Sequence, residues 1–137
     1  MGLKIGRLAS VRLGATQVLG IGTWEMSGIT TDQLESTEFG DAWKTYEYGL
    51  KDGGQITFSG LYDPADTTGQ NALRTYNEES TQVTSLRLYV DNTSYWIPAT
   101  TGPASYVVIT AYDVKADKSG MMTCSFTAKV SGKMELL

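Results

Sequence analysis

The chain contains no histidine and one cysteine, Cys124. Without histidine there is no catalytic triad or dyad using an imidazole base, and no metal site ligated by imidazole. A lone cysteine excludes an intrachain disulfide and a cysteine-rich metal site. Proline is scarce, three residues against fifteen glycines, a balance that is neither collagenous nor low-complexity. No apolar run approaches the length needed to cross a bilayer. Residues 1–10 lack the apolar core that precedes a signal cleavage site, so export through a cleaved signal is not expected. Basic residues are also few, eleven against fifteen acidic ones for a net charge of −4. That balance argues against a protein that grips phosphate backbones.

What remains is enough for one domain. A chain of 137 residues, 41% of them hydrophobic, buries roughly two-thirds of its unfolded surface and needs no staple to fold. The charge is unevenly placed. Residues 30–54 hold Asp32, Glu35, Glu38, Asp41, Glu47 and Asp52 against Lys44 and Lys51, so this segment alone carries −4, and the rest has nine charges of each sign.

Period-two alternation dominates the chain. Met122, Cys124, Phe126, Ala128 and Val130 alternate with Thr123, Ser125, Thr127 and Lys129, which predicts a strand with one dry and one wet face. Ser85 to Asp91 repeats the pattern, with Leu86, Leu88 and Val90 opposite Ser85, Arg87 and Tyr89. So does Gln55 to Tyr62, with Ile56, Phe58 and Tyr62 opposite Gln55, Thr57 and Ser59. One-sided strands of this kind belong to antiparallel sheets. Further strands are expected at Leu3–Leu13, at Thr16–Ile29 with bulges at Gly20, Gly22 and Gly28, and at Ser94–Ile97 ended by Pro98 and the turn Thr100–Pro103. Tyr106–Lys115, apolar on both faces at Val107, Val108 and Ile109, reads as a central or doubly covered strand. Between the strands, Asp66–Glu79 changes to helical spacing. Its start is either a capping box of Thr67 and Gln70 or Asp63 followed by Pro64. The expected architecture is a mainly β antiparallel sandwich or barrel with one flanking helix.

Candidate chemistry is thin. Asp63 and Asp66 have the oxygens for a hard cation, but their place before a helix favours capping its N-terminus. Cys124, on the apolar face of a strand, reads as a small core residue. Asn92-Thr93-Ser94 reads as a hairpin turn. No catalytic, cofactor or metal site is expected, and a chain without histidine offers an enzyme only an unusual acid–base pair.

Two features point to assembly instead. Residues 30–54 form a long connection that carries Phe39, Trp43, Tyr46 and Tyr48, and aromatics on such a segment are common interface anchors. Phe39, Trp43, Tyr46 and Leu50 also fit helical spacing, so a short amphipathic helix packed on its own domain stands as the other reading. The second feature is the wet faces, which are mostly Thr and Ser. Such a face suits a sheet that continues into another subunit or lines a watery interior, though the β-propensity of Thr explains it equally.

The residues in the run Phe39-Gly40-Asp41, then 46–60 (YEYGLKDGGQITFSG), then 62–70 (YDPADTTGQ) resemble the tail tube (major tail) proteins of long-tailed bacteriophages. The order of elements agrees over essentially the whole chain. The resemblance implies a structural virion protein without enzymatic activity or cofactor. Six copies would close into a ring whose inner sheets join into one β-barrel, and rings would stack into a tube through which DNA passes without specific binding. The long loop, 30–54, and arms at 1–13 and 131–137 would carry the contacts between subunits and rings. The interface residues implied are Phe39, Asp41, Trp43, Tyr46, Tyr48 and Asp52. Candidates to face the lumen are Thr57, Ser59, Arg87, Thr123, Ser125, Thr127 and Lys129, with Glu25 as a possible acidic addition. Implied partners are a tape-measure protein, a tail terminator and tail-tip proteins. Location would be the virion tail, after assembly in the host cytoplasm and without membrane insertion. The alternative is a monomeric binding module whose Trp24, Trp43 and Trp96 stack on carbohydrate or hold a protein ligand.

Overall fold

The alternating strands meet dry face to dry face in a computed structural model that describes residues 6–100 and 104–137. Strands β1 (Ser10–Leu13), β2 (Thr16–Gln17), β3 (Ile21–Ser27), β4 (Thr30–Glu35), β5 (Tyr46–Asp52) and β6 (Gln55–Leu61) precede helix α1 (Gln70–Glu79). Strands β7 (Leu86–Tyr89), β8 (Tyr95–Pro98), β9 (Tyr106–Lys115), β10 (Thr123–Ser131) and β11 (Met134–Leu136) follow it. One sheet has the order β11-β8-β7-β1-β2 and the other β3-β6-β10-β9, while β4 and β5 pair only with each other. All the pairings are antiparallel. The mainly β antiparallel sandwich with one helix expected from the periodicity is the fold observed.

The four-stranded sheet is organised by a row of aromatics on its inner face. Register places Trp24 opposite Phe58, Phe58 opposite Phe126, and Phe126 opposite Tyr112. The Phe58 and Phe126 rings stack at 5.2 Å, and Tyr112 tilts onto Phe126 at 4.8 Å. Aromatic pairs of this kind are worth about 0.5–1.5 kcal/mol each beyond their buried area. Val11, Leu86 and Leu88 close the core from the other sheet.

Helix α1 is fastened by Gln70, buried just inside its start. Its amide nitrogen donates to the carbonyls of Leu19 (2.6 Å) and Leu61 (2.8 Å), and its amide oxygen accepts from the Asp63 N–H (2.9 Å). Asp66 Oδ2 accepts the N–H groups of Leu19 and Gln70. These bonds replace missing ladder partners where strands end, which explains two polar side chains in the interior. Asn77 ties the far end of the helix to Ile109 O at 2.9 Å.

Several expectations change. The helix begins at Gln70, capped by Gly69 with no side-chain cap bond, so neither start read from the sequence is used. Asp66 instead reaches forward to the first turn. Thr16–Ile29 is two strands, because the chain turns between Val18 and Gly20. Of Leu3–Leu13 only Ser10–Leu13 is strand and Gly6–Leu8 is a 3-10 turn; Leu3–Ile5 lie outside the described residues, as do Thr101–Pro103. Pro98 closes β8 from within, paired with Met134. Strand β9 is an edge rather than a centre. Its doubly apolar start is explained by helix α1 packing against it and by a bulge opposite Thr127/Ala128. Tyr89, expected wet, is buried beneath the Arg12 guanidinium, whose carbon lies 4.3 Å from the ring centroid. The C-terminal segment 131–137 contributes β11 to the five-stranded sheet.

Candidate assembly interface

Residues 30–54 are a β-hairpin, neither an irregular loop nor a helix. The ribbon β3–β6 continues as β4–β5 after a break at Gly28 and Gly53-Gly54. Gly28 and Gly54 have φ of 75° and 83°, a region that L side chains rarely adopt. A Cβ on Gly53 would run into the Gly132 carbonyl, and one on Gly54 into Ser27 O. Glycines therefore let the ribbon bend away from the sandwich. Beyond the bend, Leu34 pairs with Glu47, Gln33 with Tyr48, and Glu35 with Tyr46. Polar backbone and side-chain bonds close the tip of the arm. Ser36 N–H donates to Thr45 O (2.8 Å), Thr45 N–H to Thr37 Oγ1 (2.9 Å), and Glu38 N–H to Asp41 Oδ2 (2.8 Å).

The helical reading fails because strand pairing, not 3.6-residue periodicity, sets which side chains are neighbours. It also fails to supply a partner. Phe39 is fully exposed, Trp43 and Leu50 are 83% exposed, Tyr48 67% and Tyr46 45%. A projection carrying this much bare apolar surface makes the hairpin the candidate interface of the chain. At its base, Asp52 accepts from Lys129 Nζ at 2.7 Å and from Gly54 N–H at 2.8 Å. These bonds, that from Lys129 first, hold the Asp52 carboxyl below its ordinary pKa.

Six of the seven residues proposed to face the lumen share one surface. Thr57 opposes Thr127, Ser59 opposes Ser125, and Thr123 and Lys129 continue the row on the outer face of β6 and β10. Glu25 joins them, opposite Thr57. Thr23 and Ser59 hydroxyls meet at 3.0 Å, and Ser125 Oγ donates to Asp113 Oδ2 at 3.5 Å. Asp113 and Lys115 escaped the sequence reading, because only the register of β9 with Ser125 and Thr123 puts them here. The face is a hydroxyl surface with carboxylates and ammonium groups interspersed. It ends at two strands, β3 and β9, the outer side of β9 being met near its start by Val83, which exchanges two backbone hydrogen bonds with Val107. An open cleft of about 320 Å³, lined by Ile21, Trp24 and Val90 among others, lies beside β3.

Arg87 is not part of this surface. It lies on the other sheet, opposite Arg12, because β7 belongs to the five-stranded layer. The three tryptophans are also separated in role. Trp24 and Trp96 pack against the core, Trp24 donating to Tyr89 O at 3.2 Å, and Trp43 stands at the hairpin tip. Asp63 accepts from Ala65 N–H, Asp91 from Thr93 and Ser94 N–H, and buried Cys124 has its thiol pKa raised by burial.

No protein-family model matches the chain, and no curated protein matches it in sequence. Solved structures do. A chain from the virion of a native gene transfer agent particle superposes with a TM-score of 0.77 at 13% identity, covering 98% of this chain and 99% of that one. A chain of the tail of an empty gene transfer agent particle, refined with C6 symmetry, gives 0.77 at 12% identity over the same shares. One from the tube-terminating cap of the anti-feeding prophage gives 0.71 at 16%, covering all of this chain and 92% of that one. The chain shares the fold of these virion, tail and tube-cap chains. At such low identity the agreement is one of fold, and it extends along the whole chain.

Proposed function

We propose that the chain is a structural tail tube subunit that assembles into stacked rings, hexameric as in the C6 tail with which it shares its fold. The observation that carries this reading is the β4–β5 hairpin, whose large apolar side chains are left largely uncovered by the described residues. Phe39, Asp41, Trp43, Tyr46 and Tyr48 meet a neighbouring subunit, and Asp52 sets the angle of the arm through Lys129. Ring closure uses β3 and the stretch of β9 beyond Val107, whose own outer edge is taken by Val83. Strands alternate in direction across β3-β6-β10-β9, so β9 of one subunit meets β3 of the next antiparallel. Closure by rotation leaves no unpaired edge. The hydroxyl face then lines the lumen, with Thr57, Ser59, Thr123, Ser125, Thr127 and Lys129 inward. Its mixed charge offers DNA no continuous row of phosphate contacts. The reading places the subunit in a virion tail, assembled with a length-setting tape-measure protein, a terminator and tip proteins, and gives it no catalytic role.

Negative-stain electron microscopy of the purified chain at raised concentration, alongside light scattering, tests this. Rings or tubes with a central hole are expected. Trp43→Ala is expected to remain a folded monomer that does not polymerise, and tubes from that variant equal to the wild type would remove the hairpin from the interface.

A further inference from the structure

The outer face of the five-stranded sheet carries an unusual pair. Arg12 and Arg87 sit directly opposite each other on β1 and β7, where like charges destabilise a sheet. Each guanidinium lies over a tyrosine ring, Arg12 4.3 Å from the centroid of Tyr89 and Arg87 4.7 Å from that of Tyr95. The two rings are themselves 4.8 Å apart, and Arg87 Nη1 donates to Tyr89 Oη at 3.3 Å. The Nε–H of each arginine is buried without a hydrogen-bond partner. Neither guanidinium has a carboxylate within ion-pair distance among the described residues. Two flat cations are thus held in place by stacking, with no carboxylate among the described residues to balance their charge. The buried Nε–H groups are closed to an incoming partner, but a guanidinium fork matches carboxylate oxygens in geometry as well as charge.

We propose that this face receives the β4–β5 hairpin of a second copy of the chain, the tip carboxylates Glu38 and Asp41 pairing with Arg12 and Arg87. The proposal rests on the tube-subunit reading and adds the receiving surface to it. Charge complementarity selects the occupant: the hairpin segment carries the chain's whole net charge of −4 and the remainder is neutral. Asp52 is already committed to Lys129 in its own chain, whereas Glu38 and Asp41 lie exposed at the far end. Length allows the reach. A seven-residue strand such as β5 extends roughly 23 Å at about 3.3 Å per residue, enough to bridge to a neighbour. The contact is heterologous, donor hairpin to acceptor face, and so repeats from copy to copy.

The test is a charge swap in the full-length chain, read by sedimentation velocity and electron microscopy, with circular dichroism to establish folding. Arg12→Glu with Arg87→Glu, and separately Glu38→Lys with Asp41→Lys, are each expected to raise the concentration for half-assembly by at least about tenfold. All four changes together are expected to bring it back toward the wild-type value. Should the glutamate pair fail to fold, Arg12→Gln with Arg87→Gln removes the charge without reversing it and is expected to weaken assembly in the same direction. Wild-type assembly from either arginine variant, or no recovery in the fourfold variant, would overturn the docking while leaving the tube reading in place. A wild-type chain that stays monomeric at high concentration would overturn both.

Discussion

The ribbon formed by β3 and β6 and its continuation through β4 and β5 is one hairpin in two environments. Below the glycine bend, Ile56 and Phe58 are at most 1% exposed; above it, Tyr48 and Leu50 are among the barest residues in the chain. The two halves have similar strand lengths, similar pairing and comparable apolar content. What separates them is the presence of a facing layer. The lower half lies against the five-stranded sheet, and the upper half faces no second layer among the described residues. Strand formation and burial are therefore separate outcomes here, and the distance between them measures how much apolar surface the hairpin leaves uncovered.

The comparison breaks most severely from the buried side. Phe126→Ala removes the centre of the aromatic row and is expected to lower stability by about 3–5 kcal/mol, measured by urea unfolding of the monomer. That would consume much of a typical domain's stability. Gln70→Leu keeps the volume but strands the carbonyls of Leu19 and Leu61 and the N–H of Asp63. A loss of about 1–3 kcal/mol is expected, with Cys124 becoming more reactive to thiol reagents as the helix loosens from the sheet.

The exposed half responds differently. Trp43→Ala is expected to change monomer stability by no more than about 0.5 kcal/mol while abolishing polymerisation. A large loss of monomer stability would show that the tip packs on its own domain after all. The smallest effect belongs to the hinge. The Asp52 carboxyl is held below its ordinary value chiefly by Lys129, so whatever stability the pair contributes is present above the unfolded-state pKa near 3.9. It is lost as pH falls through the lower folded value. The group is exposed, and the effect on unfolding is expected to be slight. Asp52→Asn should flatten the acid limb of a thermal-melt pH profile, and a limb identical to the wild type would show that the bridge contributes nothing in solution.

Much of the fold could be read from alternation. Residues 123–130 and 55–61 are single-sided strands, and a two-residue period admits no other arrangement that buries Phe58 and Phe126 while wetting Thr57 and Thr127. The candidate site was half visible. The aromatics of 30–54 stood out because they broke the rule that long connections are polar. Their conformation did not, since Phe39, Trp43, Tyr46 and Leu50 satisfy helical spacing while Tyr46, Tyr48 and Leu50 satisfy strand spacing. Arg87 was grouped with the hydroxyl face because alternation tells which side of its own strand a residue takes, never which sheet the strand joins. Asp113 and Lys115 were missed for the complementary reason, a bulge that shifts the phase along β9.

The sequence by itself determined the class of fold, the absence of imidazole and intrachain disulfide chemistry, and the concentration of negative charge and aromatics between residues 30 and 54. These follow from composition and from periods of two to four residues, which neighbouring peptide units impose on one another. Only the tertiary structure decided that the segment is a hairpin, that Glu25 and Asp113 join the hydroxyl face, and that Arg12 meets Arg87. Each of those depends on pairing between strands far apart in the chain, where register is chosen by what the opposite layer can bury.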